Sequence, residues 1–218
     1  MSAELPYLPA LRFSSLTCLY DSVMRLLLKD EVFKRRLVAQ VKPLPDQRIL
    51  DVGCGTGTLT LLLKRAAPNA VVIGLDADPT MLRIARTKAE SEQVQIEFVE
   101  GMSDSLPFPH ASFSGIVSSL LLHHLTTYSK RRTLEQAYLL LRPGGMLHIA
   151  DWGQAQNALM RAAFLGVQLL DGFETTVDNV EGRLLPLMRA AGFADAMETH
   201  REMTMLGTLS MYRATRPD

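Results

Sequence analysis

Residues 49–63, ILDVGCGTGTLTLLL, place an aspartate and three alternate glycines between two apolar runs. The run that ends at Val52 predicts a buried strand, and the run that follows Gly57 predicts a helix. Glycine adopts positive φ without steric cost and lets another molecule lie against bare backbone. The first amides of the helix add hydrogen-bond donors at the positive end of its dipole. The stretch therefore predicts a strand, a tight turn and a helix that together bind a polar ligand.

Strands and helices alternate on both sides of this turn. Apolar runs predict strands over 48–52, 70–76, 94–100, 113–120 and 146–151, and helical periodicity predicts helices over 58–67, 79–90 and 128–141. Asp78 and Pro79 are typical of a helix N-terminus. Residues 192–216 predict two further strands joined by a turn near Gly207. The expected fold is α/β: a doubly wound seven-stranded sheet, mostly parallel, with a C-terminal antiparallel hairpin and helices on both faces.

The chain length favours one domain. At 218 residues and 47% hydrophobic content, the chain suits a single α/β domain over 1–218. Helical spacing of apolar residues between 15 and 41 predicts an N-terminal helical lid region over 1–44, ahead of a core over 45–218. A helical insertion is expected near 155–192. Its run 157–173 is apolar around most of its circumference, which predicts at least two buried faces.

Charge and cysteine content limit the partners and the compartment. The 23 basic and 23 acidic residues balance, so no nucleic-acid partner is expected. Cys18 and Cys54 fit neither a disulfide framework nor a repeated metal-binding spacing, which favours the cytoplasm. The longest nearly uncharged run, 155–171, is too short to span a bilayer, and the N-terminus lacks the basic leader of a secretory signal.

A basic cluster in the N-terminal region has two interpretations. It is either a solvated helix face or a peripheral contact with an anionic membrane. Its members are Lys29, Lys34, Arg35 and Arg36.

Two carboxylates indicate the kind of ligand. A dinucleotide fingerprint runs G-x-G-x-x-G, whereas here Asp51 precedes glycines at every second position. Asp51 would repel a pyrophosphate and attract a cationic ammonium group. Asp76 closes the second predicted strand, where a carboxylate accepts hydrogen bonds from a ribose diol. An amino-acid nucleoside therefore fits better than a dinucleotide, although a glycine triplet alone is equally typical of a tight turn.

Longer motifs carry a resemblance to a known family. The segments LDVGCGTG, GLDADPTML, FVEGMSDSLPFPHASFSGIVSS and LLRPGGMLHIADWG resemble those of class I S-adenosylmethionine-dependent methyltransferases over nearly the whole chain. The resemblance is strongest to the branch of ubiquinone and menaquinone biosynthesis C-methyltransferases, whose N-terminal "YD" helix is similar to LYDSVM. It implies a Rossmann-like fold, S-adenosylmethionine as cofactor with S-adenosylhomocysteine as product, and direct methyl transfer to a small molecule.

The same resemblance implies the cofactor-binding residues. Asp51 and the turn would hold the methionine end, and Asp76 would hold the ribose. Ser118 or Ser119 would line the sulfonium, and Tyr20 would cap the methionine carboxylate. The full set is Tyr20, Asp51, Gly53, Cys54, Gly55, Thr56, Gly57, Asp76, Ala77, Met81, Met102, Ser103, Ser118 and Ser119. Met102 and Ser114 depart from the family pattern, which often has aspartates at these positions. Loss of the first aspartate weakens adenine binding by about 1 kcal/mol if water replaces the contact.

Candidate catalytic residues follow the fourth predicted strand. Alignment of an acceptor behind a sulfonium methyl supplies much of the catalysis, and a base is needed only when the acceptor must lose a proton. His123 and His124 are the candidates, with packing or capping as the alternative. Asp151 is expected to contact substrate or to cap a helix, and Cys54 to be a small residue tolerated among glycines. His110, His148 and His200 are scattered, so no metal is expected.

The acceptor is expected to be apolar or aromatic: a quinone precursor, a lipid or another secondary metabolite. Ordinary packing or a dimer interface is the alternative role for the apolar residues near the site, which are Met24, Leu27, Phe108, Leu121 and Phe173. Two other functions remain as alternatives, a catalytically silent cofactor-binding scaffold or regulatory subunit and, less favoured by Asp51, an NAD(P)-dependent oxidoreductase. The atom that is methylated and the oligomeric state, with a homodimer among the alternatives, are left open.

Overall fold

The computed structural model describes residues 30–218. The predicted first helix, with Cys18, Tyr20, Met24 and Leu27, lies outside the described residues. The elements in chain order are α1 (Asp30–Val41), β1 (Arg48–Val52), α2 (Thr58–Ala66), β2 (Val71–Asp76), α3 (Pro79–Ser91), β3 (Glu97–Glu100), β4 (Phe113–Ser119), a 3₁₀ turn (Leu122–His124), α4 (Thr127–Leu140), β5 (Leu141–Trp152), α5 (Ala158–Asp171), α6 (Phe173–Val180), α7 (Leu184–Ala190), β6 (Ala194–Thr204) and β7 (Gly207–Thr215).

The seven strands form one sheet in the order β3-β2-β1-β4-β5-β7-β6. The strands from β3 to β5 pair in parallel, whereas β7 is antiparallel to both β5 and β6. The predicted mostly parallel sheet with a C-terminal antiparallel hairpin is confirmed. Chain order reverses between β1 and β4, and in such sheets ligands bind beyond the carboxyl ends of the strands at that point.

Both faces of the central strands are buried. Leu50, Ile73 and Ile116 face one core, which α4 and α7 cover. Ile49, Val72 and Val117 face the other, where α1 and α2 pack. Alternate residues of a strand point to opposite faces, so a strand covered on both sides is apolar almost throughout. This burial holds the carboxyl ends of β1, β2 and β4 at one edge of the sheet.

Element boundaries follow local chemistry. Asp78 accepts a hydrogen bond from the amide of Thr80 at 2.7 Å, so α3 begins at Pro79 as its cap predicts. β3 is shorter than expected, because Val94 and Ile96 pack against the buried apolar residues of α3 and pairing with β2 begins only at Glu97. β5 begins earlier than expected because Leu141 already pairs with Phe113.

The expectation that two faces of α5 are buried is wrong for the described part of the chain. Met160, Phe164 and Val167 line one buried face, and the last two pack with Trp152. On the opposite side Leu169 is 73% exposed and Leu170 is 55% exposed. Among the described residues the helix packs against β7 and α6 on one side only, so its apolar circumference exceeds the described surface that covers it.

The basic cluster is partly neutralised on the surface. Arg35 pairs with Glu31 on α1, and Arg36 pairs with Glu202 on β6. Lys29 lies outside the described residues. Over the range 30–218, none of the helices combines the length and apolar character that crossing a bilayer requires.

Candidate active site

The glycine turn between β1 and α2 has one packed side and one open side. Gly53, Gly55 and Gly57 all adopt positive φ, at 71°, 53° and 74°. A Cβ at Gly57 would lie 2.9 Å from the Cβ of Ala85, and a Cβ at Gly53 would lie 2.8 Å from the side chain of Leu121. A Cβ at Gly55 would meet nothing within 4 Å. Gly55 is therefore the position where the bare main chain faces open space.

Asp76 ties the turn to the end of β2. Its Oδ2 accepts a hydrogen bond from the amide of Gly55 at 2.7 Å, and its Oδ1 accepts one from the amide of Asp78 at 2.9 Å. Burial raises the pKa of Asp76, although these two backbone bonds oppose the rise. Each carboxylate oxygen has a second lone pair, so Asp76 retains acceptor capacity for a ligand beside Gly55.

Asp51 lies fully buried below the turn. Its Oδ2 accepts a hydrogen bond from the hydroxyl of Thr60 at 2.7 Å, whereas its Oδ1 has no hydrogen-bond partner among residues 30–218. Burial raises the pKa of Asp51 to about 6, and the Thr60 bond and the charge of Lys34 only partly offset this. A buried acceptor without a donor is unfavourable. The site thus offers an unmet acceptor next to the glycines, which suits an ammonium group.

The remaining predicted cofactor residues lie along the same edge of the sheet. Ser118 on β4 donates its hydroxyl to the carbonyl of Val52 at 2.9 Å, so its side chain joins β4 to β1. The hydroxyl of Ser103 is bonded to Thr133 at 2.9 Å, which leaves its main chain for a ligand. Met102 is 44% exposed. Ala77 and Met81 are half-buried and Ser119 is buried, while Tyr20 lies outside the described residues.

Cys54 and Ser114 have structural roles. Cys54 is buried, and burial raises the pKa of its thiol well above the usual range, which disfavours a nucleophilic thiolate. Ser114 accepts the amide of Arg48 at 3.1 Å and donates to its carbonyl at 3.0 Å. These two hydrogen bonds fix the start of β4 against β1.

Asp151 anchors the 3₁₀ turn that carries the histidines. Its Oδ2 accepts the amide of Leu122 at 2.7 Å, and its Oδ1 accepts Nδ1–H of His123 at 2.8 Å. Asn179 of α6 donates to the same Oδ1 at 3.3 Å. The alternative in which Asp151 caps the following helix is wrong, because Asn157 caps α5 by accepting the amide of Met160.

The pKa values of the two histidines shift in opposite directions. Burial lowers the pKa of His123, but the charge and hydrogen bond of Asp151 outweigh this and raise it overall. Burial also raises the pKa of Asp151, and His123 more than reverses that rise. Burial, followed by the charge of His123, lowers the pKa of His124 to about 3. His123 and Asp151 are thus a buried pair, and His124 is neutral beside them.

Asp171, the last residue of α5, completes a cluster with the histidines. Its Oδ2 lies 3.7 Å from Nε2 of His123, and its Oδ1 lies 3.7 Å from Nδ1 of His124. In the described part of the chain, Oδ1 has no hydrogen-bond partner. Neither Asp171 nor Asn179 was among the candidates from the sequence. The available signal was a lone acidic residue closing an apolar helix, which does not reveal its tertiary partners.

Comparisons with known proteins agree with this geometry. Residues 49–145 match a family model described as a methyltransferase domain. Demethylmenaquinone methyltransferase of Thermus thermophilus is 37% identical over 142 residues, and the match spans 64% of this chain and 64% of that protein's length. The Symbiobacterium thermophilum enzyme of the same name is 30% identical over 85% of this chain and 82% of its own. The structure of YcgJ from Bacillus subtilis has a TM-score of 0.72 at 15% identity, covering 85% of this chain and 99% of that one.

The sheet order and the glycine turn define a Rossmann-like methyltransferase fold. The chain belongs to the class I S-adenosylmethionine-dependent methyltransferases, in the branch of the ubiquinone and menaquinone biosynthesis enzymes. The family and fold expected from the motifs are thereby confirmed.

Proposed function

We propose that the protein transfers a methyl group from S-adenosylmethionine to a small apolar or aromatic acceptor. The observation that carries the proposal is the open main chain at Gly55 between two buried or half-buried carboxylates, Asp51 and Asp76. When bound, S-adenosylmethionine supplies an activated methyl on a sulfonium. The relatives named demethylmenaquinone methyltransferase favour a quinone precursor as the acceptor.

The donor end of the site follows from the polar atoms described above. Asp51 carries its unpaired Oδ1 near the end of β1, just before the glycine turn, and attracts the ammonium group by charge. Asp76 accepts the ribose hydroxyls with its remaining lone pairs. Ala77 and Met81 flank the adenine, and the main chain at Met102 and Ser103 contacts its edge. Ser118 and Ser119, at the end of β4, lie below the sulfonium.

The acceptor end lies beyond β4 and β5. Leu121 packs over Gly53 and immediately precedes the 3₁₀ turn that carries the histidines. Phe173 begins α6 with about half of its surface exposed. An aromatic acceptor held against Leu121 would displace water from the methyl carbon. Where the acceptor must lose a proton, Nε2 of His123 is the candidate base, because Asp151 holds the ring through its Nδ1.

Calorimetry followed by an acceptor screen tests the proposal. The purified protein is expected to bind S-adenosylmethionine and S-adenosylhomocysteine but not NADH, and to methylate demethylmenaquinone analogues with radiolabelled donor. Small charged acceptors serve as the comparison. Binding of both nucleosides without turnover of any acceptor would favour the silent scaffold, and NADH binding without nucleoside binding would favour an oxidoreductase.

A further inference from the structure

We propose that His123, His124 and Asp171 form a binding site for a divalent transition-metal ion such as Zn²⁺. The donor atoms of the three side chains lie within 4.8 Å of one another. Two of the residues come from the 3₁₀ turn after β4, and the third ends α5. The catalytic role given to the ion rests on the proposed function, but its binding does not.

The spacing of the donors fits shared ligation better than hydrogen bonding. Both nitrogen-to-oxygen distances to Asp171 are 3.7 Å. Direct N–H···O bonds are about 2.7–3.2 Å long. Two ligands that each lie about 2.0–2.1 Å from one tetrahedral ion are roughly 3.4 Å apart. A small inward movement therefore brings these atoms into coordination distance of one ion.

Asp151 orients the first histidine for this role. Because Nδ1–H of His123 donates to Asp151 at 2.8 Å, the lone pair of the neutral ring is on Nε2, the atom nearest Asp171. Asp151 is itself held by the amides of Leu122 and Trp152. A carboxylate that fixes the other nitrogen of a ligating histidine is the usual arrangement around protein-bound metals.

The charge of the cluster also favours a cation. Asp151 and Asp171 are two buried carboxylates, and Oδ1 of Asp171 has no donor. The neighbouring buried ammonium of Lys130 is paired with Asp178 at 3.2 Å. Ligation requires both rings as neutral imidazoles, so binding displaces any proton on Nε2 of His123, and the divalent ion then balances the two carboxylates. An unpaired buried carboxylate is otherwise costly.

The donor set indicates the type of ion and its use. Two imidazoles and one carboxylate suit Zn²⁺ and its transition-metal neighbours rather than Mg²⁺ or Ca²⁺, which prefer oxygen. Three protein ligands leave a position for an acceptor oxygen, and the His124 side chain is 29% exposed. With an ion bound, Nε2 of His123 is a ligand and no longer a free base, so a phenol or enol hydroxyl on the ion would lose its proton to solvent. The acceptor's electron pair then forms the bond to the methyl carbon, while the C–S pair stays on sulfur.

Metal titration of the full chain tests the site. Chelator-treated protein is titrated with Zn²⁺ alone by calorimetry and with Co²⁺ alone by visible absorption, with Mg²⁺ as the oxygen-preferring comparison. We expect one equivalent of Zn²⁺ or Co²⁺ to bind and Mg²⁺ to bind far more weakly. His124→Ala and Asp171→Asn should each weaken binding by at least the roughly 10–100-fold typical of disturbed metal sites. The exposed His110 gives the matched control, His110→Ala, which should change nothing.

The outcomes separate this site from the proposed function. S-adenosylhomocysteine affinity, measured on every variant, reports folding and the donor site independently. Wild-type protein that binds the nucleoside but no equivalent of Zn²⁺ or Co²⁺ overturns the metal site and leaves the methyltransferase proposal standing. Metal binding that is undiminished in both variants would place the ion elsewhere and would also overturn the proposed metal site. Metal binding without nucleoside binding would instead remove the proposed function.

Discussion

Asp51 lies fully buried at the end of β1, and burial raises its pKa to about 6. Its value in the unfolded chain is 3.8, so the folded state holds the proton more tightly. The unliganded protein therefore loses stability from this group as pH rises from about 4 to 6. A cationic ligand next to Oδ1 reverses this balance, because it stabilises the ionised form.

The affinity for S-adenosylmethionine should rise with pH through about 6. At pH 5 about a tenth of Asp51 is ionised in the free protein, so affinity should be roughly tenfold lower than at pH 7.5. Calorimetry across pH 5–8 measures the change. Asp51→Asn should bind weakly at every pH and melt at a higher temperature than wild type at pH 7.5 without ligand. A wild-type affinity that does not change with pH would contradict the role of Asp51.

Replacement of Asp76 by alanine removes the acceptor for the ribose and releases the Gly55 amide. Hydrogen bonds to charged groups contribute about 1.5–3 kcal/mol, which predicts a roughly 10–100-fold loss of S-adenosylhomocysteine affinity. The control is Glu97→Ala, because Glu97 is an exposed carboxylate at the other end of the neighbouring strand. Equal affinities for wild type and Asp76→Ala would refute the assignment.

At the level of elements, the β1–α2 turn separates packing from binding within five residues. Gly57 and Gly55 both adopt positive φ, which costs a non-glycine residue about 1–3 kcal/mol. Of these two glycines, only Gly57 also has a neighbour that an added Cβ would strike. Two alanine substitutions of equal chemistry therefore have different expected effects.

Gly57→Ala should lower the free energy of unfolding more than Gly55→Ala, because clash adds to strain. Gly55→Ala should instead lose S-adenosylhomocysteine affinity out of proportion to its stability, since its methyl group projects into the ligand's space. Urea denaturation and calorimetry on both variants measure the two effects. If Gly55→Ala retained full affinity, the ligand could not lie against that part of the main chain.

At the scale of the whole molecule, a buried ion pair connects α6, which follows β5 in the chain, to α4 of the core. Lys130 on α4 contacts Asp178 on α6 at 3.2 Å, and both side chains are completely buried. Burial lowers the pKa of Lys130, and Asp178 opposes that change. Thr127 adds a hydrogen bond to Asp178 at 2.7 Å. The pair fixes α6, and through Asn179 it supports Asp151.

Asp178→Ala should reduce the free energy of unfolding by about 3–5 kcal/mol, because it leaves the buried ammonium of Lys130 without its carboxylate and bonded only to the carbonyl of Thr175. The double substitution Lys130→Met, Asp178→Leu should be markedly more stable than this single variant. Urea denaturation of the three proteins decides the point. A double variant as unstable as Asp178→Ala would show that packing rather than the unpaired charge is responsible.

Much of the fold could be predicted because its signals are local. Asp78 and Pro79 mark a helix start, and the glycines of the turn mark the ligand edge. The position of His123 after β4 was also predictable from strand order. Its partner Asp171 was not, since the contact depends on the path of α5 across the sheet edge. The exposed side of α5 was missed for the same reason: periodicity does not show how much surface is available to cover a helix.

The polar groups of the site lie in two separate stretches of the chain, and this separation bears on how such enzymes diversify. Asp51, Gly55 and Asp76 lie within residues 49–145, whereas Asp171 and Asn179 follow that stretch. A chimaera that takes residues 154–192 from a relative would inherit new acceptor contacts with an intact nucleoside cradle. Evolution can use the same separation, because substitutions within residues 154–192 can change which acceptor is methylated while the methyl donor stays the same.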